Sequence, residues 1–354
     1  MSKAPPPPRL VALATATPAF DLSQAEVAAN GADLFSTTHG GFERLAPIYR
    51  NAEIDNRHSC VPIDWYLQPH SFSERNDLFL ENAVALAAEA ATKALADANL
   101  TAGDIDAIVA VCSTGVATPA LDARLMQVMD FRRDVERLPI FGLGCAGGVL
   151  GLARAGAMAK ANPQARILLV VVELCALTFR YADRSKSNLV ATALFGDGAA
   201  AAIVSARPEY AGKPVLAAWG EYTWPDSLDV MGWEVADDGL KVVFSRDIPT
   251  LVQQDLRGVV DAFLAKQDLT LADLDGFVCH PGGAKVLDAL EAAFELEPRS
   301  LVHARQVLRE HGNMSAATVL FVLKDALAAG QKGSLLMTTL GPGFTAGLLR
   351  LEAA

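Results

Sequence analysis

Three short stretches of this chain hold residues whose types and spacing could do chemistry. They read Gly142-Leu143-Gly144-Cys145-Ala146-Gly147-Gly148, Cys279-His280-Pro281-Gly282-Gly283 and His311-Gly312-Asn313-Met314-Ser315. Each lies where an apolar, strand-like run stops or a helix-like run begins, so its side chains should face a cleft instead of a core. A nucleophilic thiol needs a partner that keeps it ionised, and an oxyanion needs neutral donors. Cys145, His280 and Asn313 supply those three roles. The combination points to acyl transfer through a thioester.

Small residues flank Cys145, and the helix that follows would aim its positive end at the sulfur and lower its pKa. Cys60, Cys112 and Cys175 lack that setting and read, for reactivity, as small buried hydrophobes. His280 ends a short strand, where loops carry chemistry in α/β folds. As an imidazolium it would hold the thiolate, and its Nε2–H could donate to an oxyanion. Asn313 can cap a helix and still turn its amide into the cleft. His311 carries no separate argument and reads as loop surface. The turns Gly196-Asp197-Gly198 and Gly341-Pro342-Gly343 lack the layout of nucleotide cradles and read as structural turns beside the site.

The elements that must position these residues occur twice. Asn99-Leu100-Thr101 leads to Asp104 and an apolar strand, and Asp268-Leu269-Thr270 leads to Asp273 and another, an offset of 169 residues (104 to 273). The same offset carries Cys145 to position 314, next to Asn313. Further echoes pair Ile167–Val172 with Ser334–Thr339, and Phe195–Gly198 with Leu340–Gly343. The strands are apolar with little alternation, as when helices cover both faces of a sheet. Two βαβ-rich halves, 10–210 and 211–354 behind a disordered Pro-rich tail at 1–9, predict stacked layers of helix and sheet. Cys145 and Asn313 would then meet across one cleft at the pseudo-twofold axis.

Composition narrows the class. The chain has 354 residues, is 51% hydrophobic and carries a net charge of −11, which excludes a basic nucleic-acid sheath. Five cysteines without paired or zinc-like spacing fit reduced thiols in the cytoplasm. No apolar run approaches the ~18 residues of a membrane span, and the start lacks the layout of a signal peptide.

On these motifs, with Leu194-Phe195-Gly196-Asp197-Gly198-Ala199-Ala200-Ala201 added, the chain resembles the type III polyketide synthases, the chalcone and stilbene synthase-like members of the thiolase superfamily. The resemblance spans roughly Leu10 to Leu351. It implies a duplicated αβαβα thiolase-like fold, a Cys145-His280-Asn313 triad, and acyl-CoA and malonyl-CoA as substrates, with no metal or redox cofactor. It places Phe195 at the gate between a coenzyme A tunnel and the reaction chamber. A second gate position falls on Val242, which should widen the opening. Trp233 stands where plant chalcone synthases have a glycine, which argues against plant-type aromatic starters. Ser113, Thr114, Cys175, Thr178 and Ser315 map to the chamber. Small residues at Thr114, Thr118 and Cys175 resemble the bacterial long-chain alkylpyrone synthases, whose acyl chain occupies an extra tunnel. Arg50, with help from Arg57, is expected at the coenzyme A phosphates, and a homodimer is implied in which the Thr118 loop reaches the partner's cavity. Alternatives are a malonyl-primed tetrahydroxynaphthalene-type synthase, an initiating ketoacyl-carrier-protein synthase and a non-catalytic acyl-CoA-binding scaffold.

Overall fold

The structure, a computed structural model, describes residues 6–35, 46–245 and 247–353. In chain order the first half holds β1 (Arg9–Ala16), β2 (Phe20–Ser23), α1 (Gln24–Leu34), α2 (Pro47–Arg50), β3 (Asn56–Ser59), α3 (Phe72–Asp97), β4 (Ala107–Cys112), α4 (Leu121–Val128), β5 (Glu136–Phe141), α5 (Gly147–Ala161), β6 (Arg166–Leu174), α6 (Lys186–Leu194) and β7 (Asp197–Ser205). The second holds β8 (Val215–Thr223), β9 (Met231–Ala236), β10 (Gly239–Phe244), α7 (Ile248–Ala265), β11 (Gly276–Cys279), α8 (Ala284–Ala293), α9 (Val302–His311), α10 (Thr318–Ala328), β12 (Gly333–Gly341) and β13 (Thr345–Ala353). Of the expected tail, residues 1–5 lie outside the described part. Pro8 is buried with its carbonyl accepting from Leu216 N–H, and Arg9 already opens β1, so order begins earlier than position 10.

Nine strands form one sheet in the order β11-β12-β13-β8-β1-β7-β6-β4-β5. The order mirrors about the β8/β1 contact. In each half a parallel pair (β4/β6, β11/β12) is followed by antiparallel partners (β6/β7/β1, β12/β13/β8). Only the edge strand β5 has no counterpart among the described residues. The two half-sheets meet through a single register pair, Arg9 with Val215.

Alternation along the buried strands divides two cores. Val109, Val111, Leu169, Val171, Ala202 and Val204 face one, while Ile108, Ala110, Leu168, Val170, Ala201 and Ile203 face the other. The outer core is closed by α3, which starts at a Ser71/Glu74 capping box and lays Ala83, Ala87, Ala90 and Ala94 on the sheet. The central layer is α5 and α10, packed between the halves: Gly156 on α5 lies against Leu216 and Trp219 of β8, and Gly151 against Val111 and Leu169. The far face is covered by α7 and α8, with Phe263 against Gly220 of β8. The order is helix, sheet, helix, sheet, helix, as the duplicated motifs predict.

The repeat is literal at its turns. Thr101 and Thr270 each give N–H and Oγ1 to the carboxylate of Asp104 or Asp273, at 2.8 and 2.7 Å in both copies. Downstream the spacing widens by two residues. Gly144 and Ser315 (an offset of 171) open equivalent 3-10 turns, Gly144–Ala146 and Ser315–Ala317, that run into α5 and α10. Cys145 therefore corresponds to Ala316, and position 314 is not its partner.

Candidate active site

The turn that carries Cys145 is fixed from below. Gly144 N–H donates to Ser113 Oγ at 2.9 Å, at the end of β4. The two helix starts touch backbone to backbone: a Cβ on Gly148 would stand 2.3 Å from the Ala316 carbonyl oxygen, so only glycine permits this approach. As a result Cys145 Sγ lies 3.7 Å from Ser315 Oγ, across the pseudo-axis.

His280 follows β11 directly, and its backbone N–H donates to Thr338 O at 2.9 Å. Its ring is buried and neither nitrogen has a hydrogen-bond partner among the described residues. Asn313 follows Gly312 at the end of α9. Its Oδ1 accepts from Ser315 N–H at 2.8 Å, and its Nδ2 donates to Gly282 O at 3.3 Å. The capping bond orients the amide, which is also hydrogen-bonded to the Cys145 thiol. Cys145, His280 and Asn313 all line one cavity of about 640 Å³, with Thr338, Thr339, Phe244, Met231, Lys186 and Lys285 also on its walls.

Burial sets the resting charge state. It pushes the Cys145 thiol up to about 12, against a smaller lowering by its Ser315 hydrogen bond, and it pushes His280 down to about 3. The expected lowering of the thiol by the helix start is thus outweighed. Neither group charges alone in this cavity, so an ion pair can form only by moving the proton from Sγ to the imidazole.

The hairpin β9–β10 roofs the site. Trp233 and Val242 are cross-strand partners, and Trp233 Nε1–H donates to Ser113 O at 2.8 Å. The widening expected from Val242 is filled two residues along the same strand face: Phe244 sits edge-on to Phe195, ring centroids 5.8 Å apart, and lines the cavity. Val242 itself is buried against Phe195, Cys175 and Ala191. The hairpin tip is held by Arg75, which donates to the Asp238 carbonyl, and by Arg180, whose Nε lies 2.8 Å from Asp238 Oδ1.

The remaining predicted positions separate. Cys175, Thr178 and Phe195 line a second, apolar cavity of about 70 Å³ walled by α1 and Tyr66. Thr114 instead touches a space of about 10 Å³ beside Thr178 and Leu240. Its hydroxyl is occupied, donating to Glu173 and accepting from Leu174 N–H, and Thr178 is shared by the walls of both spaces. Thr178 Oγ1 likewise donates to Cys175 O at 2.6 Å. Thr118 is exposed on the loop between β4 and α4. Arg57 does not reach solvent: it is buried, and its guanidinium donates to the carbonyls of Thr192, Ala193 and Phe195 at the C-terminus of α6. A helix end offers unpaired carbonyls, and they draw this cation inward. Arg50 is exposed and is not on the cavity wall, where its neighbours Ile48 and Asn51 are.

Lys186 and Lys285, at the starts of α6 and α8, are the exposed ammonium groups on the wall of the large cavity. Sequence reasoning missed them because a lone lysine at a helix start carries no signature. It also missed Glu173, a fully buried carboxylate at the end of β6 that accepts from Ser113 N–H at 3.0 Å and Thr114 Oγ1 at 2.8 Å. Burial raises it to about 8 despite those donors. The signal was present, a single acid within the apolar run Ile167–Leu174.

A duplicated layered fold that brings Cys145, from the turn before one central helix, and Asn313, from the segment before the other, to one cavity is that of a condensing enzyme of the thiolase type. The profile for chalcone and stilbene synthases matches the chain in both parts, the N-terminal domain over residues 60–208 and the C-terminal domain over 217–350. A putative chalcone synthase of Bacillus subtilis (strain 168) is 39% identical over 356 residues, covering 96% of this chain and 97% of that protein. The 1,3,6,8-tetrahydroxynaphthalene synthase of Streptomyces peucetius subsp. caesius is 39% identical over 351 residues, covering 97% and 92%. Among solved structures, the 1,3,6,8-tetrahydroxynaphthalene synthase of Streptomyces coelicolor A3(2), a bacterial type III polyketide synthase, superposes with a TM-score of 0.92 at 29% identity, covering 98% of this chain and 99% of that one. This chain belongs to the chalcone and stilbene synthase family and is a type III polyketide synthase.

Proposed function

We propose that the enzyme builds its polyketide on Cys145 from an acyl-CoA starter and malonyl-CoA. Proton transfer from Sγ to His280 gives the thiolate, which attacks the acyl carbonyl. The bond to coenzyme A breaks, and the departing thiolate takes the proton back. Malonyl-CoA then loses CO₂, and the electron pair passes to an enolate oxygen held by His280 Nε2–H and Asn313 Nδ2–H. The enolate carbon attacks the thioester and frees Cys145, and repetition precedes cyclisation. The observation that carries this reading is the convergence of the three side chains on one cavity, with both His280 ring nitrogens unpartnered. The test is Cys145→Ala and Asn313→Ala assayed in separate half-reactions. The first should abolish acyl loading. The second should cut malonyl-CoA decarboxylation by ~10²–10³, more than it cuts loading. Equal loss of both half-reactions in Asn313→Ala would reduce that residue to a structural cap.

The reaction needs no metal or redox cofactor on this reading. The coenzyme A phosphates are assigned to Lys186 and Lys285, the exposed cations on the cavity wall, in place of Arg57. The starter is a medium- or long-chain fatty acyl group, giving alkylpyrone- or alkylresorcinol-type products. The apolar cavity behind Cys175 and Phe195 supports this, since each buried methylene contributes ~0.8 kcal/mol. Its small volume favours the second reading, a malonyl-primed tetrahydroxynaphthalene-type synthase, and a panel of C2 to C20 acyl-CoA starters with products identified by mass separates the two. A homodimer is supported by the unmatched edge strand β5, with Phe141 59% exposed, beside the exposed Val116 and Thr118 of the neighbouring loop. A fully active monomer by light scattering would overturn it. All five cysteines are free, and no helix among the described residues is long and apolar enough to cross a membrane. The thiols support a cytoplasmic location.

A further inference from the structure

The orientation of Asn313 depends on a residue that is intrinsically indifferent. Gly312, between α9 and Asn313, has φ 67° and ψ −164°, a backbone state that glycine enters easily and leaves as easily. The amide is held by Ser315 N–H and Gly282 O, but where the backbone carries it is set by what grips the chain on either side.

On the downstream side Asn313 forms a parallel bridge with Phe195: its N–H donates to Leu194 O at 2.8 Å, and its carbonyl accepts from Gly196 N–H at 3.1 Å. On the upstream side the grip is a ring. His311 is not loop surface. It is the last residue of α9, half-buried, edge-on to Phe321 at 5.0 Å, with Nδ1 3.0 Å from His58 Nε2. His58 Nδ1 in turn lies 2.7 Å from Oδ1 of Asp21 on β2. A carboxylate only accepts, so a neutral His58 with its proton on Nδ1, toward Asp21, receives the His311 Nδ1–H at its other nitrogen. Burial keeps both imidazoles below the usual histidine range. The charged groups that face them are Asp21 on β2 and Lys324 and Asp325 on α10. The neighbouring Arg57, on the opposite face of β3, holds the Phe195 side of the same bridge through three carbonyls. One short strand thus holds both sides of the junction between the gate phenylalanine and the asparagine.

We propose that His58 is a positioning residue for Asn313, acting through His311 to fix the amide for decarboxylation of the malonyl group. The inference rests on the reading of Asn313 given above and extends it to β3. Three variants test it, with malonyl-CoA decarboxylation and acyl loading measured separately. Glutamine can place an amide where Nε2 stood and asparagine where Nδ1 stood. We expect His58→Leu and His58→Asn to lose up to ~10²-fold in decarboxylation while loading stays within about twofold, and His58→Gln to recover most of the loss. Equal losses in both half-reactions, no loss in any variant, or rescue by His58→Asn in place of His58→Gln would overturn the proposal. Should His58→Leu not fold, the two amide variants still decide between contacts. Asn313→Ala in the same assays separates the two levels: if it does not lose decarboxylation selectively, the reading of Asn313 itself fails, whatever His58 does.

Discussion

Gly144 and Ser315 hold the same left-handed backbone, φ 46° and 47°, one turn before each of the two central helices. The repeat demands that conformation at both places, but only one copy uses the residue suited to it. At Gly144 a Cβ would also stand 2.5 Å from the Pro342 ring. At Ser315 the strained residue carries the hydroxyl that reaches Cys145 Sγ.

Gly144→Ala should therefore destabilise the protein by roughly 1–3 kcal/mol from backbone strain alone, more where Pro342 cannot yield. Ser315→Gly should leave stability unchanged or raise it slightly while altering the reactivity of Cys145. Urea unfolding of the two variants checks the contrast, and equal destabilisation would show that the turns are not equivalent.

The charge state of the pair predicts a pH profile. If the proton moves from Cys145 to His280, the alkylation rate of Cys145 by iodoacetamide should be nearly flat across neutrality. With His280→Ala only the buried thiol pushed up to about 12 remains, so the rate should be low and climb about tenfold per pH unit. A steep climb in the unmodified enzyme would show that the pair stays neutral.

Glu173 links stability to pH. Its folded value, about 8, lies above the ordinary carboxylate value, so the folded state binds more protons between them. Its contribution is full at acid pH and is lost as pH rises from about 4.5 through 8. The melting temperature should fall across that window, and Glu173→Gln should flatten the part of the curve due to this group. An unchanged slope in the variant would assign the pH dependence elsewhere.

The two classes of cation should behave oppositely. Lys186→Glu or Lys285→Glu should raise KM for CoA thioesters with little change in kcat. Arg57→Leu leaves the Thr192 and Phe195 carbonyls unpaired, while Ala193 O keeps its bond from Gln24 Nε2, and should cost at least ~2 kcal/mol of stability. Steady-state kinetics and thermal unfolding on the same samples separate these outcomes.

Local chemistry and repetition were enough to single out Cys145, His280 and Asn313, which the fold brings to one cavity, and to predict the layered architecture and the strand ends, because the Cys145 turn, the His280 strand end and the Thr101 and Thr270 capping turns are written in consecutive residues. The side-chain environment was not legible in the same way. Arg57 reads as a basic residue in a polar stretch, and only the fold brings the end of α6 within its reach. Val242 reads as an open gate until the hairpin sets Phe244 beside Phe195. His311 looks like surface until β3 lays His58 against it. Thr114 reads as a small chamber-lining residue, and only the fold brings Glu173 and Leu174 to its hydroxyl. Sequence determined which residue types could react and the period on which they recur. Tertiary structure decided which polar groups face the cavity, because burial forces each one to find a partner and that partner is usually distant in the chain.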